Sequence, residues 1–206
     1  MNLFVNKSSL LVLLTSLFLL SACSKSDEVN NAANTDNVVA NASATAFTTY
    51  TIRKGQNYCD QNTIKLVKTS EMKFVARFDT SAIYATVNPV NQYDINKLYG
   101  FSEGYNHQVN SARIGWRWSD GALRLFGYVY KSSVRYSQEI TTIPFNTDIT
   151  CSIKLSGYNY LITANGITVT LPRALNTASA SGYQLYPYFG GDETAPKNIS
   201  IKIKNI

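Results

Sequence analysis

His107 is the only histidine of the chain, and it lies in a polar segment with Tyr105, a few residues before Arg113 and Arg117. An imidazole or a phenol can take a proton from a substrate and return it. A guanidinium group can neutralise the carboxylate of an acidic sugar. This combination could abstract the proton beside a uronate carboxyl group, which is the chemistry of a polysaccharide lyase. In the alternative interpretation, His107 contacts only solvent or a ligand hydroxyl group.

A predicted β-hairpin over residues 111–130 must position those arginines. Apolar and polar residues alternate with a period of two on both sides of Asp120-Gly121, a dipeptide that favours a tight turn. One face is apolar and is expected to join the core, whereas the other combines rings with guanidinium groups. The residues of this second face are Arg113, Arg117, Arg124, Phe126, Tyr128 and Tyr130. Sugars stack on rings and hydrogen-bond to guanidinium groups, so the face predicts a glycan-binding surface. The alternative is a second buried layer with arginines at its rim.

Two adjacent carboxylates, Asp192 and Glu193, follow Gly190-Gly191 in a predicted loop. Carboxylate oxygens are ligands for Ca²⁺, so a structural calcium ion is one interpretation and a solvated turn is the other. The sequence has no cluster of His and Cys residues that would indicate zinc. It also has no E-x-D-x-x-E strand with the paired carboxylates of a glycosidase, so a glycoside hydrolase is not expected. The R-x-E-L-R and Q-I-H runs that alginate lyases carry are absent as well.

The N-terminus predicts export and attachment to a lipid. Residues 1–22 combine Lys7 with an apolar run that is short for a membrane span and typical of a signal peptide. The run ends in Leu20-Ser21-Ala22-Cys23, which resembles the lipobox of bacterial lipoproteins. The resemblance implies that Cys23 is lipidated and becomes the first residue of the mature chain. An ordinary secretory signal followed by an unrelated cysteine is the alternative.

Residues 24–28, Ser-Lys-Ser-Asp-Glu, resemble the surface-export signal of Bacteroidetes lipoproteins. That resemblance implies the outer face of the outer membrane, although a solvated linker would use similar residues. The following residues are rich in Asn, Ala, Thr and Ser and cannot bury enough apolar surface to offset their ordering entropy. Residues 23–49 are therefore predicted to be a flexible tether.

The remaining residues, 50–206, are enough for one domain with a hydrophobic core. Abundant Tyr, Phe, Thr, Ile and Val favour an all-β domain. The formal net charge of +6 falls by one without Lys7 and is spread along the chain. A nucleic-acid-binding protein usually clusters its charge, so acidic glycans are the better match. Cys59 and Cys151 could form a disulfide in an oxidising compartment or stay as buried thiols.

About a dozen short strands are expected, without a helix. Asn165-Gly166 predicts a second tight hairpin, and residues 88–97 and 102–110 are predicted loops. The clearest predicted strands outside the central hairpin cover residues 72–78, 81–87, 134–143, 148–155 and 198–206. This pattern favours a two-sheet antiparallel jelly-roll sandwich over an immunoglobulin-type Greek key.

Two longer runs carry a family resemblance: residues 81–118, SAIYATVNPVNQYDINKLYGFSEGYNHQVNSARIGWRW, and residues 186–203, YPYFGGDETAPKNISIKI. They resemble uncharacterised Bacteroidetes lipoproteins with a concanavalin A-like (laminin-G-like) jelly roll. The resemblance implies that fold and a glycan-related setting, without implying an activity.

The first functional hypothesis is a surface-anchored, lectin-like module that binds a polysaccharide, with Tyr105 and His107 at the rim of the arginine–aromatic face. The second is a lyase of an acidic glycan that uses Tyr105 and His107 as its proton-transfer residues. The third is an adhesion or structural subunit whose aromatic face is buried against other proteins of a surface complex.

Overall fold

The structure is a computed structural model, and it describes residues 46–206. The predicted signal peptide, Cys23 and most of the predicted tether lie outside the described residues. Within residues 46–206, no helix has the length and apolar character needed to cross a membrane.

The described residues form twelve β-strands in two antiparallel six-stranded sheets. In chain order the strands are β1 (Thr48–Ile52), β2 (Leu66–Thr69), β3 (Glu71–Phe78), β4 (Asn96–Ser102), β5 (Ser111–Ser119), β6 (Ala122–Lys131), β7 (Val134–Ile143), β8 (Ile149–Ser156), β9 (Asn159–Ala164), β10 (Ile167–Pro172), β11 (Ala180–Leu185) and β12 (Ile199–Asn205). The first sheet has the order β1-β12-β3-β8-β9-β10, and the second has the order β2-β11-β4-β5-β6-β7. The predicted all-β, two-sheet antiparallel sandwich is confirmed.

The hydrophobic core lies between the two sheets, and the β5–β6 hairpin contributes its apolar face to it. Ile114, Trp116 and Leu125 are fully buried. The Trp116 ring packs against Phe78 and Phe189, with ring centroids 5.4 and 6.5 Å apart. The period-two pattern therefore assigned this face to the core correctly, and the arginine–aromatic face lies on the outer side of the second sheet.

Residues 81–87 do not form the predicted strand. The side chain of Asp79 caps a short 3₁₀ helix at this point instead. The Gln92 side chain then accepts a hydrogen bond from the backbone N–H of Thr86 and donates one to the carbonyl oxygen of Tyr84. Polar side chains thus satisfy the backbone groups that a neighbouring strand would otherwise bind, although the segment alternates like a strand.

The sandwich begins before the predicted boundary at Tyr50, because β1 starts at Thr48. The Phe47 ring also packs against the domain, with the Arg77 guanidinium 4.9 Å and the Lys204 amine 5.0 Å from its centroid. The last residues of the predicted tether therefore belong to the folded domain.

Cys59 and Cys151 are both free and buried. Burial raises the pKa of the Cys59 thiol to about 11 and that of Cys151 to about 12. Both thiols are therefore protonated and unreactive near neutral pH. Of the two alternatives drawn from the sequence, the pair of buried thiols describes this structure.

A buried ion pair connects the two sheets at the start of the loop after β4. Arg173 donates from Nε to Glu103 Oε1 over 2.6 Å, and both side chains are almost completely buried. The Tyr160 hydroxyl donates to the same oxygen, while the other guanidinium nitrogens of Arg173 donate to Gly157 and Thr177. Each of the three guanidinium nitrogens thus has a partner, and this network fixes the loop that begins at Glu103.

Arg173→Met should lower the free energy of unfolding by about 3–5 kcal/mol, because it leaves the Glu103 carboxylate buried without its cation. Arg124→Met is the matched control, since the Arg124 ion pairs with Asp120 and Glu139 are partly exposed and should be worth about 1 kcal/mol or less. Urea denaturation measures both values. Equal losses for the two variants would show that the buried ion pair stabilises the fold no more than the exposed ones do.

Candidate functional site

An open cleft of about 540 Å³ lies on the outer side of the second sheet. Strand β11 and the segment after it form one wall, and β4 to β7 contribute the floor and the other wall. We call it the tyrosine–arginine cleft, after the side chains that dominate its lining. The lining residues are Tyr58, Asn62, Thr63, Ile64, Lys97, His107, Gln108, Arg113, Tyr128, Tyr130, Arg135, Tyr183, Gln184, Leu185, Tyr186, Pro187, Tyr188 and Gly191.

The strand register explains why the cleft forms here. Arg113 on β5 is paired with Tyr128 on β6 and with Gly100 on β4, and Gly100 is in turn paired with Leu185 on β11. Directly paired residues of an antiparallel sheet point to the same face. A glycine stands at the β4 position of this row, where a Cβ would collide with the backbone of Ala112 and Arg113. No side chain of β4 therefore stands between Leu185 and Arg113.

Arg113 is the central charged group of the cleft, and only 6 % of it is exposed. Its Nε atom has no hydrogen-bond partner, and no carboxylate of residues 46–206 forms an ion pair with it. Burial lowers the pKa of this guanidinium, but the ordinary pKa of arginine is so high that the group stays charged at neutral pH. Four tyrosines, Tyr128, Tyr130, Tyr183 and Tyr188, line the cleft together with it.

Two further cations, Lys97 and Arg135, line the same cleft. The Lys97 amine lies 4.9 Å from the centroid of the Tyr128 ring and donates a 2.8 Å hydrogen bond to the carbonyl oxygen of Ile95. Among the described residues, no Asp or Glu lines the cleft. The interior is therefore positively charged, and any anion that enters it meets three cations.

His107 and Tyr183 form a hydrogen-bonded pair inside the cleft. A distance of 2.8 Å joins His107 Nδ1 to the Tyr183 hydroxyl oxygen. Burial lowers the pKa of His107, and the charges of Arg113 and Lys97 lower it further. The imidazole is therefore neutral near pH 7 and can accept a proton.

Two serines hold the backbone on either side of this pair. Ser111 Oγ donates to the carbonyl oxygen of His107 over 2.6 Å, and Ser102 Oγ accepts from the backbone N–H of Tyr183 over 2.9 Å. Ser102 and Ser111 are themselves directly paired on β4 and β5. The loop that carries His107 and the strand that carries Tyr183 are thus fixed to the same point of the sheet.

Three of the six predicted ligand-binding residues, Arg113, Tyr128 and Tyr130, line the cleft, and Arg117, Arg124 and Phe126 lie outside it. The guanidinium of Arg117 lies 4.8 Å from the centroid of the buried Phe126 ring and donates to the carbonyl oxygen of Tyr93. Arg124 is held by two carboxylates, Asp120 and Glu139. Ligand contact by these three residues stays a prediction, since they do not line the cleft.

The structure does not bring Tyr105 and His107 together as a proton-transfer pair. Tyr105 is 94 % exposed and lies in a second, neighbouring groove. Tyr183, 76 positions further along the chain than His107, takes the place beside the imidazole. The two residues of the predicted pair are two positions apart in sequence but line different depressions of the surface.

The carboxylate of Glu193 accepts hydrogen bonds from the backbone N–H groups of Val87 and Asn88 and from the side-chain amide of Asn91. These donors lower its pKa. The carboxylate thus joins two loops and has little capacity left for a cation. Within residues 46–206 no three His, Cys, Asp or Glu side chains form a metal-binding group, and calcium at Asp192 and Glu193 stays a prediction.

The cleft residues that the sequence patterns do not predict include three rings and two cations: Tyr58, Tyr183, Tyr188, Lys97 and Arg135. Each lies on a segment with a visible strand or loop signal, but nothing in the sequence tells that β11 inserts between β2 and β4. That insertion places residues 183–188 one strand away from β5, which carries Arg113.

No protein-family model matches the chain, and no curated protein matches its sequence. The solved structure of the alginate lyase AlyC3 is similar at a TM-score of 0.51 and 9% identity, over 78% of this chain and 74% of that one. The fold is a jelly-roll sandwich.

Two other solved structures are less similar. One is SCLam, a non-specific endo-β-1,3(4)-glucanase from family GH16, with a TM-score of 0.45 and 9% identity over 66% of this chain and 57% of that one. The other is the carbohydrate binding module CBM66 from Bacillus subtilis, with a TM-score of 0.36 and 8% identity over 79% of this chain and 94% of that one. The match thus spans a little more than half of SCLam. At these identities the likeness concerns the fold alone.

The Lys97 amine should titrate near pH 8 instead of near its ordinary value of 10.5, because burial and the charges of Arg113 and Arg135 disfavour its protonated form, against a weaker effect of Asp94. The unfolded chain then binds this proton more tightly than the folded chain. Between these two pH values the contribution of Lys97 to the free energy of unfolding therefore rises with pH. NMR of isotope-labelled lysines, with Lys97→Met to assign the signal, measures the midpoint, and a midpoint near 10.5 would contradict the described burial.

Proposed function

We propose that the chain is a surface-anchored protein whose tyrosine–arginine cleft binds an acidic polysaccharide. The observation that carries the proposal is Arg113, a buried guanidinium without a carboxylate partner at the centre of the cleft. Burying an unpaired charge is costly, and a ligand carboxylate or sulfate group would offset that cost.

The remaining lining suits a sugar chain. Lys97 and Arg135 extend the positive charge beyond Arg113, so neighbouring acidic residues of a polymer could be bound together. Tyr58 is 66 % exposed and packs edge-on against Tyr188, with ring centroids 4.9 Å apart. Exposed rings of this kind stack on the C–H faces of sugars. The cleft is open at its surface, as binding within a long polymer requires.

The N-terminal sequence supports the proposed location. A signal peptide over residues 1–22, lipidation of Cys23 and a tether up to residue 49 would attach the domain to the outer membrane at the cell surface. The export motif after Cys23 supports a Bacteroidetes-type surface lipoprotein. Extracellular polysaccharides are accessible at that location, whereas nucleic acid is not expected as a partner.

Arg113→Met should weaken binding of an acidic polysaccharide by roughly 10- to 100-fold, because a hydrogen-bonded charge pair contributes about 1.5–3 kcal/mol. The same substitution should not lower the free energy of unfolding, since it removes a buried charge that has no partner. Affinity electrophoresis against alginate, polygalacturonate and a sulfated glycan, together with urea denaturation, measures both effects.

Arg77→Met is the control, because Arg77 lies on β3 of the first sheet, outside the cleft, in a partly exposed ion pair with Asp148. Its affinity should equal that of the unsubstituted chain. If Arg113→Met binds as well as the control, Arg113 is not the anion site and the proposal fails.

A second candidate function is a polysaccharide lyase, and the His107–Tyr183 pair is the observation that favours it. In such a reaction a base removes the proton from the uronate carbon next to the carboxyl group. The electrons of that C–H bond form a carbon–carbon double bond, the glycosidic carbon–oxygen bond breaks, and the leaving oxygen gains a proton. Neutral His107 would be the base, the Tyr183 hydroxyl would supply the proton, and Arg113 would neutralise the carboxylate.

If the chain is a lyase, incubation with a polyuronate should produce the ultraviolet absorbance of an unsaturated uronate. His107→Ala and Tyr183→Phe should each abolish the increase while leaving polymer binding measurable. Tyr158→Phe, which alters an exposed tyrosine in the turn between β8 and β9, should react at the normal rate. A polymer that binds without any absorbance change would reject the lyase and leave the binding function standing.

A further inference from the structure

The strand register extends the face of the tyrosine–arginine cleft towards the edge of the second sheet. Tyr183 on β11 is directly paired with Leu66 on β2, and Ser181 is paired with Lys68. Side chains at directly paired positions share a face. Since Tyr183 points into the cleft, Leu66 and Lys68 lie on the ligand side of the sheet as well.

A second groove of about 410 Å³ occupies this position, and we call it the outer groove. Its lining residues are Leu66, Val67, Lys68, Gly104, Tyr105, Ser181 and Gly182. It shares β11 with the cleft, because Ser181 and Gly182 line the groove and the following residues from Tyr183 onward line the cleft. A single extended molecule could therefore pass along β11 from one depression into the other.

Tyr105 gives the outer groove an aromatic wall. Its side chain is 94 % exposed, which is unusual for so large a ring, and Leu66 is 75 % exposed. The backbone beneath Tyr105 is held firmly, since Gly104 donates to the carbonyl oxygen of Ser181 over 2.7 Å and Glu103 donates to that of Asn110 over 2.9 Å. The ring thus projects from a fixed loop base.

Lys68 gives the groove the same sign of charge as the cleft. No Asp or Glu of residues 46–206 lines the groove or forms an ion pair with this amine. A ring that can stack on a sugar and a cation that can bind an acidic substituent thus lie together on the same face as Arg113.

We propose that the outer groove is a second subsite, in which Tyr105 stacks on a sugar residue and Lys68 binds an acidic group of the same polysaccharide that occupies the cleft. The inference rests on the proposed function and deepens it. The chain would select polymers with acidic groups on successive residues and would bind long oligosaccharides better than short ones. Tyr105 would then be a binding residue, as in the first hypothesis drawn from the sequence, and would not transfer protons as in the second.

The test titrates disaccharides and octasaccharides of alginate and of polygalacturonate into the full domain and measures binding by calorimetry. If the chain cleaves them, all variants are made in the His107→Ala protein, so that binding is measured without cleavage. Tyr105→Ala and Lys68→Met should each weaken octasaccharide binding by roughly three- to tenfold, as expected for one ring or one exposed charge. Neither should change disaccharide binding, because a disaccharide fills only the cleft. Tyr158→Ala is the control, since Tyr158 is 61 % exposed in the turn between β8 and β9 and lines neither depression.

The possible failures of the two proposals are distinguishable. If the octasaccharides bind and Arg113→Met abolishes their binding while Tyr105→Ala and Lys68→Met do not affect it, the outer subsite is overturned and the proposed function stands. If the unsubstituted chain binds neither polyuronate at either length, and does not bind the sulfated glycan in affinity electrophoresis, both proposals are overturned. A loss of affinity shared equally by disaccharide and octasaccharide also overturns the subsite, because it would indicate a general structural effect.

Discussion

Two arginines are buried in this domain, and only one of them has a carboxylate. Arg173 forms an ion pair with Glu103 Oε1 between the sheets, and there it stabilises the loop after β4. Arg113 is almost as deeply buried on the outer face, but its Nε has no partner among the described residues. Since an unpaired buried charge destabilises a fold, its presence points to a role outside folding. The positive charge that the cleft offers to a ligand comes from this arginine without a carboxylate.

The rest of the structure positions side chains around that charge. Ser102 and Ser111, opposite each other on β4 and β5, bind the backbones of Tyr183 and His107. The loop that carries His107 starts at Glu103, so the ion pair between the sheets also supports the cleft. The fold therefore connects a stable core to a site whose central charge, that of Arg113, has no carboxylate partner. Such a preorganised site lowers the cost of binding a charged ligand.

Local patterns predicted much of the fold. Strand β7 follows the predicted bounds, and the Asp120-Gly121 turn and both faces of its hairpin are as expected, because these features depend on neighbouring residues. The strand predicted over residues 81–87 does not form, because the Gln92 side chain accepts the hydrogen bond that the backbone of Thr86 would otherwise donate to a neighbouring strand. Half of the predicted binding face is in the cleft, but the partner of His107 lies 76 positions away. Pairing between distant strands is set by the whole sandwich, so one sequence cannot reveal it.

A buried, uncompensated charge should select an anionic polymer over a neutral one. The most direct measurement compares binding of a polyuronate with that of the same polymer after its carboxyl groups have been reduced to neutral alcohols. Both forms have the same chain of sugar rings, so stacking on the tyrosines and hydrogen bonds to the ring hydroxyl groups are possible in both. We expect the polyuronate to bind and to raise the melting temperature, and the reduced polymer to do neither. Equal binding of the two forms would contradict the role of Arg113 as the anion site.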